Sequence, residues 1–366
     1  MISSTRFCRR SMTPPKPKSF SERLLAWFDV HGRHELPWQL QRTPYTVWLS
    51  EVMLQQTQAA TVSSYFRRFV ERFPDLETLA NASDDDVHAH WSGLGYYSRA
   101  RNLHKAAQIC VQEHDGDIPS DFDALLALPG IGRSTAGAIM AQAFGEAFAI
   151  LDGNVKRVLS RYLGIREWTG TADAQRRMWA FAEANVPRTR VADYTQAQMD
   201  LGSIVCKPRK PLCDQCPLRQ DCIAFNENLT AVIPAPKPKK ERPHRHAAAA
   251  VLMQGDSVLL IKRPPAGIWS SLWTLPQADD FESLQNLVNS IATTRPPRML
   301  AVIDHAFSHY DLSLTPVHFG DVTLHDRIHE CDAMPWRWLS YGQLNEVGIP
   351  APIRTLLAES ILRNDP

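Results

Sequence analysis

Hydrophobic residues recur at helical spacing through residues 19–228 of the chain. Thr43-Pro44 is typical of a helix start, a capping residue followed by proline, and apolar residues from Tyr45 to Met53 then share one face. A second run passes through 65–73 and stops at Pro74. Ser83 opens another helix. Further helices are predicted near 99–114, 121–127, 134–144, 154–163, 173–185 and 190–204, and no alternating run predicts a sheet here.

The pattern changes after residues 229–243, which are rich in proline and lysine and are predicted to form a linker. Beyond the linker, alternating or short apolar runs separated by turn residues indicate strands. They lie near 247–253, 257–262, 299–307, 312–317 and 336–339, with helices near 281–292 and 350–362. The expectation is a multidomain chain, with an all-α domain over 19–228 and an α+β domain over 244–366.

Composition places the chain among ordinary globular proteins, with 44% hydrophobic and 22% charged residues in 366. No apolar run approaches the ~18 residues of a membrane span, so no membrane partner is expected. The net charge is only +1, but residues 1–18 carry +5 and residues 229–246 carry +4. Any nucleic-acid contact in the folded parts must therefore be a local patch. Residues 1–18 are predicted to be a disordered basic tail, with an organellar presequence as the alternative.

Four of the seven cysteines fall within residues 206–222, spaced C-x6-C-x2-C-x5-C. Four thiolates so close in sequence can ligate one metal centre. Structural zinc is an alternative, but its sites usually use two tight C-x2–4-C pairs and only one is present, so the wider spacing favours one [4Fe–4S] cluster. Unligated thiols are the remaining alternative. The ligands would be Cys206, Cys213, Cys216 and Cys222.

Residues 125–139 predict two helices joined by a Pro-Gly-x-Gly turn. Gly130 and Gly132 have no Cβ, so backbone N–H groups there can approach a DNA phosphate, and the N-terminus of the next helix adds partial positive charge. A turn that only packs two helices is the alternative. Asp152 follows an apolar run and precedes a helix. It is either a helix cap or a carboxylate facing a sugar.

Together the hairpin, Asp152 and the cysteine loop resemble the helix-hairpin-helix DNA glycosylases with an iron–sulfur cluster. Segments 36–39, 44–58, 93–104 and 151–158 further resemble the MutY-type adenine DNA glycosylase family. The resemblance implies a base-excision-repair enzyme that removes adenine mispaired with 8-oxoguanine or guanine in double-stranded DNA. It also implies a monomer, cytoplasmic in a bacterial host and nuclear or mitochondrial in a eukaryotic one.

The resemblance assigns catalysis to Glu51 and Asp152. Adenine leaves as a neutral base once N7 is protonated, and a carboxyl with a raised pKa can deliver that proton. The sugar left behind is oxocarbenium-like, and an ionised Asp152 can stabilise it electrostatically or trap it covalently.

Other residues would hold the DNA, because the target base must be flipped out of the duplex. The resemblance implies that Gln55 or Gln56 enters the stack together with Tyr96. The alternative for Tyr96 and Tyr97 is core packing after the Gly-Leu-Gly turn, and one of the two is expected to pack in this way. The remaining DNA contacts would be Gly130, Gly132, Ser134, Asn154 and Lys156. The adenine pocket would include Trp38, Leu54 and Gln196, with Asn154 as a further candidate.

Two departures from related families refine the expectation. Bifunctional relatives carry a Schiff-base lysine where this chain has Ser134, which predicts a monofunctional enzyme that leaves an abasic site. The second domain resembles the Nudix fold, yet residues 278–292 lack the R-E-x-x-E-E helix that holds Mg²⁺, so recognition is expected there and not hydrolysis. Its loop Phe307-Ser308-His309 would read 8-oxoguanine.

Three alternative functions remain for the whole chain. They are an endonuclease III-like lyase, a non-catalytic iron–sulfur DNA-binding protein and a nucleotide hydrolase.

Overall fold

The computed structural model describes residues 19–239, 241–307, 309–325 and 335–362. The predicted basic tail 1–18 lies outside the described residues. The helices of the first part of the chain are α1 (Phe20–His31), α2 (Pro37–Leu40), α3 (Pro44–Leu54), α4 (Ala59–Arg72), α5 (Leu76–Ala80), α6 (Asp84–Trp91), α7 (Ser98–Glu113), α8 (Phe122–Ala127), α9 (Arg133–Ala143), α10 (Gly153–Tyr162), α11 (Ala172–Ala184), α12 (Val191–Asp200) and α13 (Ile223–Asn226).

Capping residues explain where these helices begin. Thr43 and Ser83 accept hydrogen bonds from backbone amides three residues ahead, at the starts of α3 and α6. Asp121 and Asp152 do the same for α8 and α10, each at 2.8 Å. The helices predicted from apolar spacing are confirmed with small shifts at their ends. The last one, predicted over 190–204, changes to a π-helix at Leu201.

Four short or terminal helices were not predicted: α1, α2, α5 and α13. The signal for α1 was present, since Ser19 and Glu22 form a capping box. Its buried residues, Phe20, Leu24, Trp27 and Phe28, also follow helical spacing. The other three have five residues or fewer, too few to show a helical period.

The second part of the chain forms a mixed sheet with a helix on each face. Its strands are β1 (His244–Gln254), β2 (Ser257–Lys262), β3 (Trp273–Thr274), β4 (Gln277–Ala278), β5 (Ala292–Thr293), β6 (Arg298–Met299), β7 (Ile303–Ala306), β8 (Asp311–Phe319), β9 (Thr323–Leu324) and β10 (Trp336–Ser340), and its helices are α14 (Phe281–Ile291) and α15 (Ala351–Leu362). Eight of these strands form the mixed sheet, and β5 and β9 pair with each other in a separate two-stranded sheet. The path through the eight-stranded sheet is β10-β2-β1-β8-β6, and β1 runs parallel to β8.

Residues of β1 alternate between two apolar cores, because successive side chains of a strand point to opposite faces. Ala249 and Val251 join the core that includes residues of α15. Ala250 and Leu252 join the core that includes residues of α14. The predicted architecture, an all-α part followed by an α+β part, is confirmed.

The prediction of one strand over 299–307 is wrong. The segment divides into β6 and β7, which both pair with β8. Met299 lies opposite Val317 and Ile303 lies opposite Leu314. Between these two pairs, the segment from β6 to β7 has one residue more than β8, as at a β-bulge. Pro316 lies opposite the break and has no N–H to donate, which explains why the regular ladder stops there.

By contact, the described residues fall into two compact units, one formed by 19–34 with 140–237 and the other by 35–139 with 238–362. The domain bounds given above stay a prediction. In the described ranges, no helix combines the length and the apolar character needed to cross a bilayer.

Gly130 offers a test of the hairpin turn. It has φ of +81°, and a Cβ there would lie 2.9 Å from the Asn102 Cβ. We expect Gly130→Ala to reduce stability by about 2 kcal/mol, because the left-handed conformation alone costs roughly 1–2 kcal/mol. The thermal midpoint, followed by circular dichroism, should fall by several degrees. Gly132→Ala is the matched control, since a Cβ there meets nothing within 4 Å. Equal midpoints for the two variants would contradict this account of the turn.

Candidate active site

Glu51 lies near the C-terminal end of α3 and is half-buried. The neighbouring positions Ser50, Val52 and Met53 are buried, as are Trp48 and Leu49, which lie three and two residues before Glu51. Burying such apolar side chains stabilises the fold by about 1.5–3 kcal/mol each, so the helix that carries Glu51 is held firmly against the core.

Arg99 anchors the end of that helix, and sequence reasoning missed it. Its guanidinium, on a residue only 5% exposed, donates to the carbonyl oxygens of Met53 at 2.7 Å and Val52 at 3.1 Å. It also donates, at 3.1 Å each, to the Leu94 and Gly95 carbonyls and to Thr57 Oγ1. Burial lowers the pKa of Arg99 to about 10, so it stays protonated at neutral pH. Its place on the apolar stripe of α7 signals that Arg99 is buried, but not which acceptors it meets.

The two segments tied together by Arg99 carry the predicted DNA-inserting residues. Gln56 is exposed with φ of +60°, and Tyr96 is 57% exposed with φ of +49°. Such left-handed backbones are uncommon for residues other than glycine and cluster at functional sites. Gln55 is half-buried at the end of α3. Tyr97 is half-buried, and its hydroxyl donates to the Ile349 carbonyl at 3.3 Å.

Gln56 and Tyr96 line a cleft of about 1770 Å³ in the unit formed by 35–139 and 238–362. His305, Phe307 and His309 line the same cleft. Six arginines lie along it: Arg68, Arg101, Arg242, Arg245, Arg263 and Arg354. Asp279 is the one carboxylate among its described lining residues. Dense positive charge beside exposed aromatic rings is typical of a nucleic-acid groove.

Phe307 and His309, the described residues of the loop predicted to read 8-oxoguanine, lie along this cleft. The Phe307 amide donates to the Tyr310 carbonyl at 2.9 Å, and Arg242 Nη1 donates to the Phe307 carbonyl at 3.0 Å. Phe307 packs against Trp269 and His305, with ring centroids 5.7 and 4.6 Å away. Ser308 lies outside the described residues. Arg242, at the end of the basic linker, is a supporting residue that the sequence analysis did not identify.

Asp152 caps α10, which is the structural role considered above. Its carboxylate accepts from the Val155 amide at 2.8 Å and from Asn154 Nδ2 at 3.4 Å. Burial raises the pKa of Asp152, whereas these hydrogen bonds and the nearby Arg157 guanidinium act in the opposite direction. The carboxylate is thus enclosed and held by donors. Glu51 belongs to the other unit.

Asn154 and Lys156 follow Asp152 on the same helix. Asn154 Oδ1 accepts from Arg157 Nη2 at 2.7 Å, and Gly202 packs so closely that a Cβ there would lie 2.6 Å from Asn154 Cβ. Lys156 is half-buried.

The predicted phosphate contacts of the hairpin lie together in the chain. Gly132 and Ser134 lie at the hairpin and in the first turn of α9, and Gly130 holds the left-handed turn.

The predicted adenine-pocket residues are placed among packed neighbours. Gln196 is buried and donates to Asp200 at 2.8 Å, which also accepts from Arg33. Trp38 is buried edge-on against Phe66, with ring centroids 5.6 Å apart. Leu54 is half-buried at the end of α3.

None of the four clustered cysteines forms a disulfide. Arg161, buried in α10, donates to Cys206 Sγ at 3.2 Å and to the carbonyls of Lys207 and Pro208. Burial and the neighbouring cysteines raise the pKa of Cys216 to about 12. The described residues contain no group of three or more His, Cys, Asp or Glu side chains placed to hold a single ion. Soft thiol donors beside a buried guanidinium nonetheless fit an anionic iron–sulfur group, whose charge Arg161 would offset.

Family models match the chain in three places. The HhH-GPD superfamily base excision DNA repair protein model matches residues 49–184, and the iron–sulfur binding domain of endonuclease III matches residues 206–222. The NUDIX domain model matches residues 247–359. The predicted combination of helix-hairpin-helix glycosylase, iron–sulfur loop and Nudix-like domain is thereby confirmed.

Whole proteins and solved structures agree with the models. The chain is 34% identical to the adenine DNA glycosylase of Buchnera aphidicola subsp. Schizaphis graminum (strain Sg), over 92% of this chain and 97% of that protein. It is 33% identical to the adenine DNA glycosylase of Rattus norvegicus, over 92% and 77%. The structure of a thermostable thymine-DNA glycosylase matches 57% of this chain and 95% of that one, at 28% identity and a TM-score of 0.52. The chain therefore belongs to the adenine DNA glycosylase family of the HhH-GPD superfamily.

Proposed function

We propose that this protein excises adenine mispaired with 8-oxoguanine or guanine from double-stranded DNA, and that it leaves an abasic site. The observation that carries the proposal is the arginine-lined cleft. It is lined by Tyr96, which is predicted to enter the base stack, and by Phe307 and His309, which flank Ser308 in the loop predicted to read the opposite base. A protein that recognises one base of a mispair while it removes the other must bring Tyr96 and the recognition loop to the same duplex. The protein acts as a monomer on the DNA of its host, in the cytoplasm of a bacterium or in the nucleus or mitochondria of a eukaryote.

Exposed residues of the cleft hold the adenine outside the duplex and fill the space that it leaves. Tyr96 replaces the stacking of the extruded adenine, and the amide of Gln55 or Gln56 bonds to the orphaned base. Arginines such as Arg68 and Arg101 neutralise phosphates. Their local density compensates for a whole-chain charge of only +1. Backbone amides at Gly130 and Gly132 and the first turn of α9, with Ser134, hold a further phosphate. Lys156 and Asn154 contact the strand near Asp152.

Glu51 acts as the general acid that protonates adenine N7, so that the base leaves neutral. Asp152 stabilises the oxocarbenium-like sugar, by its charge or by a bond to C1′. Burial raises the pKa of Asp152, and the capping amide of Val155 and the Arg157 guanidinium oppose that rise, so these donors support the ionised carboxylate that this role requires. Trp38, Leu54 and Gln196 contribute to the wall of the adenine pocket.

The product is an abasic site, because the chain has Ser134 at the position of the lysine in bifunctional relatives. A hydroxyl cannot form the Schiff base through which those enzymes cleave the strand. Cys206, Cys213, Cys216 and Cys222 would hold one [4Fe–4S] cluster. The cluster supplies ligation energy that folds the 206–222 loop, and Arg161 and Arg157 support that loop from α10.

A duplex with one A·8-oxoguanine pair tests the proposal directly. We expect the wild-type protein to produce a strand break only after alkali treatment, as an abasic product requires. Glu51→Gln should abolish excision under single turnover yet bind the mispair nearly as well, because the amide keeps the shape but cannot supply the proton. Strand cleavage without alkali would refute the monofunctional mechanism. Excision at the wild-type rate by Glu51→Gln would remove that residue from the chemistry.

Iron analysis tests the cluster. Anaerobically purified wild-type protein should contain iron and acid-labile sulfide in equal amounts, four of each per chain in a [4Fe–4S] cluster. Cys216→Ala should lose most of both. Cys110→Ala is the control, because Cys110 is buried in α7 outside the loop, so it should retain the iron. Stoichiometric zinc in the wild-type protein would rule the cluster out.

Ser308→Ala tests the recognition loop. Loss of one hydrogen bond to a buried base should cost about 1–3 kcal/mol, or roughly one to two powers of ten, on the 8-oxoguanine mispair alone. Phe307 and His309 remain, so we expect the lower end of that range. Ser313→Ala, on β8, is the matched control outside the cleft lining. Binding and excision are compared on A·8-oxoguanine and A·G at one salt concentration. Equal losses on the two mispairs would argue against the assignment.

A further inference from the structure

The contact between α6 and the strands β2 and β3 has no role in the proposed chemistry. Asp85 Oδ1, on α6, accepts from Trp273 Nε1 at 3.0 Å and from Lys262 Nζ at 2.9 Å. Lys262 and Arg337 also lie over the Trp273 ring, at 5.8 and 5.1 Å from its centroid. One half-buried carboxylate therefore receives both donors beside an indole that two cations flank.

His88 extends this contact one turn further along α6. It is 1% exposed, and a Cβ on Gly348 would lie 2.6 Å from His88 Cβ, so only glycine permits the approach. The Gly348 carbonyl in turn accepts from the Trp273 amide at 2.9 Å. Burial lowers the pKa of His88 to about 4, so the ring is neutral at physiological pH and acts as an apolar packing surface.

The contact reaches Tyr96 on one side. Tyr97 packs edge-on against His88, with ring centroids 5.7 Å apart, and its hydroxyl donates to the Ile349 carbonyl. Tyr96 is the residue before it in the chain. Arg99 clamps the same turn through the Gly95 carbonyl. The backbone of Tyr96 is therefore fixed to the surface that carries Trp273 and Gly348.

The same contact reaches the recognition loop on the other side. Trp273 follows a tight turn in which the Leu272 amide donates to the Trp269 carbonyl at 3.0 Å. The Trp269 ring lies against Phe307 and His305. A continuous path of packed groups thus joins Asp85 to the loop.

We infer that Asp85 is a positioning residue that, with Lys262 and Trp273, sets the place of Phe307 relative to Tyr96 and so determines how strongly the enzyme prefers 8-oxoguanine over guanine opposite adenine. The inference rests on the proposed function. Asp85 touches neither base. It acts by keeping Phe307, beside the residue that reads 8-oxoguanine, at a fixed distance from Tyr96, which enters the base stack. A small change in that distance lowers the preference for 8-oxoguanine over guanine.

A double-mutant cycle tests this role. Asp85→Ala and Lys262→Met should each lower the ratio of single-turnover rates on A·8-oxoguanine and A·G by about threefold to tenfold. The double variant should be little worse than Asp85→Ala, because both changes remove the same contact. The ratio is the informative readout, since a merely unfolded fraction lowers both rates equally and cancels.

Asp84→Ala is the matched control. It also removes an acid from the first turn of α6, but Asp84 pairs with His104 of α7. Its ratio should equal that of the wild type. Hydrogen–deuterium exchange supplies a second readout that needs no DNA, and Asp85→Ala should raise exchange in both 85–97 and 269–274.

The outcomes separate the inference from the proposed function. A wild-type protein without a preference for 8-oxoguanine overturns the proposed function, and the specificity role of Asp85 with it. A wild-type preference that Asp85→Ala leaves unchanged overturns this inference alone, as does an equal change in Asp84→Ala. Additive effects of Asp85→Ala and Lys262→Met would show that the two residues act separately and would overturn the shared role.

Discussion

The geometry around Glu51 depends on one buried guanidinium. Arg99 has carbonyl and hydroxyl acceptors in place of a carboxylate, and it collects them from the end of α3 and from the 94–95 turn. Carbonyls at a helix C-terminus carry partial negative charge, so the end of α3 compensates the buried cation. The arrangement ties the helix of Glu51 to the turn of Tyr96. The strained backbones of Gln56 and Tyr96 persist because surrounding contacts hold them.

The local distribution of charge in the cleft, and not the net charge of the chain, favours contact with DNA. The chain is nearly neutral, yet the cleft collects six arginines beside one described carboxylate. Several of these arginines also have structural contacts. Arg101 donates to the Ser270 carbonyl, and Arg242 donates to the Phe307 carbonyl and pairs with Asp311. Such contacts hold the guanidiniums in place before DNA arrives, which reduces the entropy lost on binding.

The two proposed catalytic carboxylates have different surroundings. Asp152 is fixed by the amides of its own helix, so its direction is set by local structure as much as by the active site. Glu51 lies late in α3 among buried neighbours, and it is positioned by the packing of that helix. Burial raises the pKa of Asp152 and the donors around it oppose that rise, so the ionised state proposed for Asp152 depends on the amides of its own helix and on Arg157.

Local signals in the amino-acid order were enough to predict most of the helices, the change to strands after the linker and the cysteine loop. Caps such as Thr43 and Ser83 and the apolar spacing act within a few residues, so no partner segment is needed to recognise them. The roles of Glu51 and Asp152 came from resemblance to a family, because a helical glutamate and a capping aspartate look ordinary in isolation. The clamp of Arg99, the break opposite Pro316 and the contact of Asp85 with Trp273 could not be predicted in this way. Each joins residues far apart in the chain, and which acceptor meets which donor is settled only when the elements pack.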